Sequence, residues 1–211
     1  MDEKYYFDIL DDDRISILPL LLKFKDNFYL AGGTALALQI GHRDSVDFDF
    51  FCEKAFDPNV LYESFQQVFS GHNIQKIQEE ENTLGILVDG TIKITFMTFP
   101  YPLIKIEETE YLQIASMLDI AAMKLSAITG RATMKDYVDL YFILHKYSLS
   151  QLLGALDQKN MSLQHALALK SLVYYDDMEI IEINFKHGKK ITFGEVKEFL
   201  ELETKKYVES L

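Results

Sequence analysis

The spacing of hydrophobic and polar residues changes about half-way along the chain of 211 residues. In the first half, residues 28–31, 83–88 and 91–97 form short apolar or alternating runs, which predict strands. Asp89-Gly90, between the last two runs, is typical of a two-residue hairpin turn. Beyond residue 105, long stretches carry apolar residues at helical spacing. Helices are predicted, from this spacing and from capping and proline signals, at residues 14–24, 34–40, 59–69, 116–128, 133–147, 148–156, 162–175 and from Thr192 onward.

This order of elements predicts an α/β (α+β) fold, in which a mixed sheet domain precedes a helical half. We place the boundary near residue 105, so that residues 1–105 form the α/β domain and residues 106–211 the helical domain. With 48% hydrophobic residues, the chain can form one sizeable core, or a small catalytic domain with a second lobe.

Residues 45–51, Ser-Val-Asp-Phe-Asp-Phe-Phe, alternate at period two and predict a further strand. Asp47 and Asp49 then project from one face, while Val46 and the phenylalanines between and after the aspartates project from the other, buried face. The Cα atoms of the two aspartates would lie about 6.5–7 Å apart, so that both carboxylates could converge on one Mg²⁺. Taken alone, such a pair is more often a solvated strand face.

Gly32 and Gly33 lie between the predicted strand 28–31 and the helix 34–40. Glycine lets the backbone amides of a helix N-terminus approach an anion closely, and the helix dipole favours phosphate there. Thr34 adds a hydroxyl at the predicted cap position. A glycine pair by itself, however, is more often only a tight bend.

Several charged residues stand near these elements or at helical spacing in the second half. Lys124 shares its helix face with apolar residues, so its ammonium either snorkels to solvent or points into a cleft, and periodicity alone favours snorkelling. Asp136 and Asp139 are three residues apart, and their repulsion predicts a nearby cation such as Lys124, Arg131 or a metal. Arg43, just before the aspartates, is either an exposed loop arginine or a phosphate contact.

Net charge and cysteine content limit the classes to which this protein can belong. The formal net charge is −12 and the pI is near 4.8, whereas nucleic-acid-binding proteins usually present clustered Lys and Arg. An RNA contact would therefore need a local patch or a metal. Cys52 is the only cysteine, which excludes an intrachain disulfide. Because no apolar run approaches the roughly 20 residues that cross a bilayer, and the acidic N-terminus does not resemble a signal peptide, we expect a cytoplasmic protein without a membrane partner.

The order of these features resembles the signature of the nucleotidyltransferase superfamily. That signature is a hydrophobic residue, Gly, and Gly or Ser, followed after a short gap by Asp-hydrophobic-Asp-hydrophobic. Here Ala31-Gly32-Gly33 is separated by thirteen residues from Asp47-Phe48-Asp49-Phe50. With Phe-Pro-Tyr-Pro-Leu at 99–103 and the stretch 118–144, which contains Lys-Asp-x-x-Asp, the chain is similar to the AbiEii-type family of abortive-infection toxins over about residues 28–146.

The resemblance implies a metal-dependent enzyme that moves a nucleotidyl group from a nucleoside triphosphate (NTP) to an acceptor hydroxyl, which could belong to RNA, tRNA in particular. It also implies a toxin that a cognate antitoxin restrains, with a helical half that closes over the nucleotide. Mg²⁺ or Mn²⁺ would be held by Asp47 and Asp49. The other implied roles are nucleotide binding by Gly32, Gly33, Thr34, Arg43 and Lys124, and catalysis by Asp47, Asp49, Lys124 and Asp136.

The run 91–97 departs from the family pattern. Members of the superfamily often carry a third carboxylate on this strand, and here Thr95 stands at the matching position. A hydroxyl is a poor general base at neutral pH, and it adds no negative charge for a second metal. Either the enzyme deprotonates its acceptor in another way, or the chain is a catalytically weak nucleotide-binding protein that acts through partner contacts.

Overall fold

The computed structural model describes residues 4–211, and these residues form a mixed sheet of seven strands flanked by helices. The strand order across the sheet is β3-β4-β5-β2-β1-β7-β6. Strands β2 and β5 run parallel, as do β1 and β7, and the remaining neighbours are antiparallel. The strands are β1 Tyr29–Ala31, β2 Phe48–Cys52, β3 Ile74–Glu80, β4 Thr83–Val88, β5 Ile92–Thr98, β6 Ile106–Glu108 and β7 Gln113–Ala115.

Eight α-helices lie within residues 4–211, and their ends show the local signals expected from the sequence. Asp57 accepts the backbone N–H of Asn59 at the start of the third helix, and Thr192 forms a capping box with Glu195 at the start of the last. Within the described part of the chain, no helix is long and apolar enough to cross a membrane. The helices are α1 Asp12–Leu21, α2 Gly32–Ile40, α3 Pro58–Val68, α4 Met117–Ile128, α5 Met134–Leu144, α6 Leu149–Gln158, α7 His165–Leu172 and α8 Phe193–Glu209.

The predicted α/β class and the predicted hairpin are confirmed. Asp89 and Gly90 both have positive φ, 50° and 74°, which is the backbone of a type I′ turn and matches the twist of the strands that it joins. The Thr91 N–H donates to the carbonyl of Val88 at 3.2 Å, and Val88 pairs with Ile92. Three residues therefore lie between the paired positions, one more than the predicted two-residue connection.

Three strands were not predicted. Strand β3 is largely polar and exposed because it is an edge strand that pairs with β4 alone. Strands β6 and β7 have three residues each, too few to show an alternating pattern. Since both join the sheet after residue 105, the sheet extends past the boundary proposed from the sequence, and the division into domains 1–105 and 106–211 stays a prediction.

The two faces of the sheet differ in chemistry around the central strands. Phe48, Phe50 and Phe96 are fully buried on one face, where the rings of Phe50 and Phe96 stack at 5.2 Å and Phe65 of α3 packs against Phe96. Because side chains alternate along a strand, Asp49 projects from the opposite face. That polar face lies toward α4 and the helical half.

The start of β2 differs from the prediction. The strand begins at Phe48, so Asp47 precedes it. Val46, which was predicted to be buried, is 42% exposed, because the chain has not yet entered the sheet at this residue. The carbonyl of Val46 accepts a hydrogen bond of 2.7 Å from Nε of Arg14 on α1, which fixes the chain just before the aspartates.

Candidate functional site

A cavity of about 540 Å³ lies between the polar face of the sheet and helices α4 and α5. One end is charged and the other is apolar. The charged end is lined by Gly32, Gly33, Arg43, Ser45, Asp47, Asp49, Lys124, Arg131, Lys135 and Asp136. The apolar end is lined by Phe51, Met97, Phe99, Ile120 and Met123.

The glycine pair brings the N-terminus of α2 against the aspartates. Strand β1 ends at Ala31 and α2 begins at Gly32, whose φ of +69° strongly favours glycine. A Cβ at Gly32 would lie 3.3 Å from Oδ2 of Asp49, and a Cβ at Gly33 would lie 2.6 Å from Nη2 of Arg43. Among the described residues no side chain caps α2, so its first-turn amides remain available to another acceptor.

The cap position predicted for Thr34 is wrong, because α2 begins two residues earlier, at Gly32. Thr34 is buried in the first turn of the helix. Its hydroxyl donates to the carbonyl of Asp47 and lies 2.9 Å from Oγ of Ser45. Thr34 therefore fixes the segment that leads into the aspartates, and it does not line the cavity.

Asp47 and Asp49 both line the charged end, as the alternation of residues predicted. Burial, and then the charge of Asp47, raises the pKa of Asp49 above its usual value. This pair of like charges is suited to a divalent cation with oxygen ligands. No group of three or more His, Cys, Asp or Glu side chains within residues 4–211 could hold a metal. The pair would thus leave most ligand positions to water or substrate oxygens, as Mg²⁺ prefers.

Thr95 lies beside Asp49. The parallel register of β2 and β5 pairs these two residues, so their side chains project from the same face. Thr95 is only 5% exposed, and its neighbour on β4 is Gly85, which has no side chain. Thr95 thus lies next to Asp49 and does not face solvent, as its match to the family's third carboxylate predicted.

Asp139 is the centre of a buried ionic network behind the charged end. It is completely buried, and its carboxylate accepts hydrogen bonds from Nε and Nη2 of Arg43, each 2.8 Å long. Lys124 Nζ lies 2.8 Å from Oδ2, and His42 Nε2 lies 2.8 Å from Oδ1. One carboxylate on α5 therefore fixes a residue of α4 and two residues of the loop after α2.

The environment sets the charges of this network. Burial pushes the pKa of Asp139 upward, but the charges of Arg43 and Lys124 and the hydrogen bonds from Arg43 and His42 outweigh it and hold that pKa well below its usual value. Burial lowers the pKa of His42. A neutral His42 that donates from Nε2 keeps its lone pair on Nδ1, and this buried atom has no hydrogen-bond partner among the described residues.

Asp136 stabilises the start of α5 and also holds Lys124. Its Oδ2 accepts the backbone N–H and the hydroxyl of Thr133, at 3.2 and 2.9 Å. Its Oδ1 accepts a bond of 2.7 Å from Lys124 Nζ. The interpretation of Lys124 as a snorkelling lysine is wrong, because the ammonium lies between two carboxylates at the cavity wall. Arg43 is not an exposed loop arginine either, since it is only 2% exposed.

Comparison with known proteins identifies the family. The nucleotidyl transferase AbiEii toxin family of type IV toxin–antitoxin systems matches residues 20–187. The chain belongs to this family. An uncharacterised protein of Aquifex aeolicus (strain VF5) is 36% identical over 194 residues, which cover 88% of this chain and 90% of that protein.

Solved structures share the fold at lower identity. JHP933 from Helicobacter pylori is 19% identical, with a TM-score of 0.57, over 95% of this chain and 96% of its own. The nucleotidyltransferase toxin MenT4 from Mycobacterium tuberculosis is 15% identical, with a TM-score of 0.56, over 90% of this chain and 82% of its own. With the family match, the protein is a nucleotidyltransferase.

Arg43 and Lys124 form ion pairs, whereas two other cations of this AbiEii-family site do not. Arg131 and Lys135 line the cavity, and neither has a carboxylate within 4.0 Å in the described part of the chain. Lys135 stands four residues before Asp139, yet it forms no ion pair with it. The clustering of these cations around the Lys-Asp-x-x-Asp stretch was visible in the sequence, but which of them would remain unpaired was not.

The apolar end was not predicted, although Phe51 could have been found from the alternation that places it on the face of Asp49. Phe51 pairs in register with Met97, and its ring lies 6.0 Å from that of Phe99, edge to face. A fully buried ion pair, Lys159 with Asp119 at 2.7 Å, supports this wall. Lys159 also donates to the carbonyl of Pro102 and lies 5.7 Å from the Phe99 ring centroid.

Replacing Asp139 with asparagine should destabilise the protein by about 3–5 kcal/mol, because Arg43 would be left buried without its counter-ion. Urea unfolding followed by circular dichroism measures this loss. Asp136→Asn is the matched control. It keeps a cap acceptor at the start of α5 and leaves Lys124 paired with Asp139, so its loss of stability should be smaller than that of Asp139→Asn. Equal stability of the Asp139→Asn variant and the unmodified protein would show that the network does not hold the site together.

Proposed function

We propose that the protein transfers a nucleotidyl group from an NTP to an acceptor hydroxyl in this cavity, in a reaction that depends on Mg²⁺ or Mn²⁺. The observation that carries the proposal is the contact between the glycine turn and the aspartates. The absent side chain of Gly32 leaves a helix N-terminus open next to Asp49. A phosphate chain at that N-terminus would reach a cation held by Asp47 and Asp49.

The charges at this end suit a triphosphate. Asp136 and Asp139 already neutralise Lys124 and Arg43. Arg131 and Lys135 are unpaired, so they are the cations with the most charge to offer the phosphates. Lys124 uses two of its three N–H groups on carboxylates, which leaves one for a phosphate oxygen.

The residues have separate roles in this proposal. Gly32 and Gly33 receive the phosphates through backbone amides, Arg131 and Lys135 neutralise them, and Lys124 donates its remaining hydrogen bond to a phosphate oxygen. Asp136 acts by positioning Lys124 rather than by touching substrate, since its oxygens are occupied by Lys124 and Thr133. The apolar end, with Phe51 and Phe99, receives the base and sugar.

The chemistry is a displacement at the α-phosphorus of the NTP. The bond between this phosphorus and the acceptor oxygen forms, and the bond to the pyrophosphate oxygen breaks. A divalent cation held by Asp47 and Asp49 would neutralise the charge that develops on the phosphate oxygens. Because Thr95 cannot take the proton of the acceptor hydroxyl, that proton passes to water. Catalysis then rests mainly on positioning and electrostatics.

We further propose that the acceptor is RNA, tRNA in particular, and that a cognate antitoxin restrains the activity in the cytoplasm. The toxin–antitoxin family supports the regulatory part. The net charge of −12 disfavours long-range attraction of RNA, but Arg131 and Lys135 line the cavity and provide a local positive charge. The halves 1–105 and 106–211 would contribute the aspartates and the phosphate-binding cations, respectively.

The test is incubation of the purified protein with each of the four α-³²P-labelled NTPs and total RNA, with Mg²⁺, Mn²⁺ or EDTA. Metal-dependent label on RNA, and on a purified tRNA pool, supports the proposal. The second candidate, a catalytically weak nucleotide-binding protein, is favoured by Thr95 and predicts nucleotide binding by calorimetry without label transfer. Absence of nucleotide binding would overturn both.

A further inference from the structure

We propose that Lys93 is a further substrate-binding residue, whose ammonium holds a phosphate oxygen of the nucleotide beside Asp47 and Asp49. This inference rests on the proposed function. Two carboxylates at this site can balance one divalent cation, and Thr95 adds no negative charge for a second. Lys93 therefore supplies, as a side chain of the protein itself, the second positive charge on this part of the sheet.

The register of the sheet places Lys93 next to the aspartates. Phe48 pairs with Ile94 and Asp49 with Thr95 in the parallel ladder of β2 and β5. Lys93 immediately precedes Ile94 and Asp47 immediately precedes Phe48, so both residues stand where this ladder begins. Since Lys93 and Thr95 are two residues apart on one strand, they share the face from which Asp49 projects. Neighbouring strands are about 4.8 Å apart, a distance that a lysine side chain easily spans.

Arg14 holds the beginnings of both strands at this point. Its buried guanidinium donates from Nε to the carbonyl of Val46, at 2.7 Å, and from Nη2 to the carbonyl of Thr91, at 2.9 Å. These carbonyls lie one residue before Asp47 and two residues before Lys93. The backbone that carries the two side chains is thus fixed from α1, while the side chains themselves stay outside the core.

Lys93 is free to bind an anion. It is exposed, and within residues 4–211 no carboxylate lies within 4.0 Å of its ammonium. Arg43 and Lys124, in contrast, already share Asp139. The competing interpretation is that Lys93 is a surface lysine whose charge only screens the aspartates.

The two interpretations predict different effects of Lys93→Met on nucleotide affinity, so this variant separates them. A positive charge beside Asp47 opposes a metal ion, so its removal should tighten Mn²⁺ binding a few-fold in the absence of nucleotide under either interpretation. A phosphate contact adds a second effect of opposite sign. Loss of one charge-assisted hydrogen bond should weaken binding of a non-hydrolysable NTP analogue at saturating Mg²⁺ by roughly ten- to a hundredfold.

The experiment measures both affinities by calorimetry, with Mn²⁺ alone and with the Mg²⁺–analogue complex. Lys54→Met, at an exposed lysine just beyond the other end of β2, removes the same charge and should change neither affinity. Lys93→Arg keeps the charge and should retain most of the nucleotide affinity. Thermal unfolding should be unchanged in all three variants because both lysines are exposed.

Unchanged or tighter analogue binding by Lys93→Met, in a protein that otherwise binds the analogue, would overturn the assignment of Lys93 and leave the proposed function standing. Failure of the unmodified protein to bind the analogue would instead overturn the proposed function, and this inference with it. An equal loss of affinity in Lys54→Met would show that net charge, and not the position of Lys93, is responsible.

Discussion

Replacing both Asp47 and Asp49 with asparagine should abolish metal-dependent nucleotidyl transfer while leaving the fold intact. The substitution removes both charged ligands of the proposed cation site. Loss of the electrostatic contribution of a bound metal, which amounts to several kcal/mol, corresponds to roughly 10³-fold or more in rate. Label transfer to RNA measures the rate, and calorimetry with an NTP analogue and Mg²⁺ measures the binding that should be lost with it.

Stability provides a second measurement for the same variant. Because the folded-state pKa of Asp49 is raised by burial and by Asp47, the ionised form of Asp49 disfavours folding, and this loss of stability develops as pH rises through the raised pKa. The double variant should therefore be at least as stable as the unmodified protein without metal, more so at pH 8 than at pH 4. Mn²⁺ should raise the melting temperature of the unmodified protein only.

The matched control removes two charges elsewhere on the sheet. Glu80 and Glu81 are adjacent, exposed carboxylates at the hairpin between β3 and β4. Glu80→Gln together with Glu81→Gln changes the net charge equally and should leave metal binding and transfer unchanged. Metal-dependent nucleotide binding that survives in the Asp47/Asp49 variant would show that the cation site has been assigned to the wrong residues.

The features that the sequence predicted correctly are those whose physics is local. Asp89-Gly90 specifies its turn through φ values of its own two residues. Asp47 and Asp49 line one cavity because they stand two residues apart at the start of β2, and Gly32 lies where the chain turns from β1 into α2 with a positive φ. Neighbours along the chain suffice for each of these.

The ionic network could not be predicted, because its partners are far apart in the chain. Arg43 and Asp139 are separated by 96 positions, and no pattern around either residue indicates the other. For the same reason the sequence could not decide whether Lys124 pointed to solvent or to a cleft. The deciding contacts come from Asp136 and Asp139 on the following helix. Contacts with another helix, rather than the spacing along its own helix, determine where the Lys124 ammonium points.

Only the structure shows which cations remain unpaired. The family resemblance implied that Arg43 and Lys124 bind the phosphates, but aspartates neutralise both side chains. Arg131, Lys135 and Lys93 keep their charge unbalanced within residues 4–211. A binding site for an anion is defined by this surplus of charge, and a count of basic residues in a motif does not reveal it.

The largest gain of activity is expected from Thr95→Asp. The register of β2 and β5 places the new carboxylate beside Asp49, on the same face. Gly85, the neighbour on β4, presents no side chain to it, and aspartate is close to threonine in volume. A carboxylate at this position can accept the proton of the acceptor hydroxyl, which general-base catalysis typically values at about 10²–10⁴-fold. Transfer with the acceptor supplied should rise within that range.

The same change should alter the metal dependence, and this separates a true general base from a simple improvement in packing. Three carboxylates repel one another without metal, so Thr95→Asp should lower the melting temperature in EDTA and regain it in Mg²⁺. Its rate should also depend more steeply on Mg²⁺, because a second cation now has a ligand. Thr95→Asn has the same shape without the charge and should show neither effect. If the rate of Thr95→Asp across a Mg²⁺ titration matches that of Thr95→Asn, the position is not in the reaction path, and the proton leaves by a route that no third carboxylate can improve.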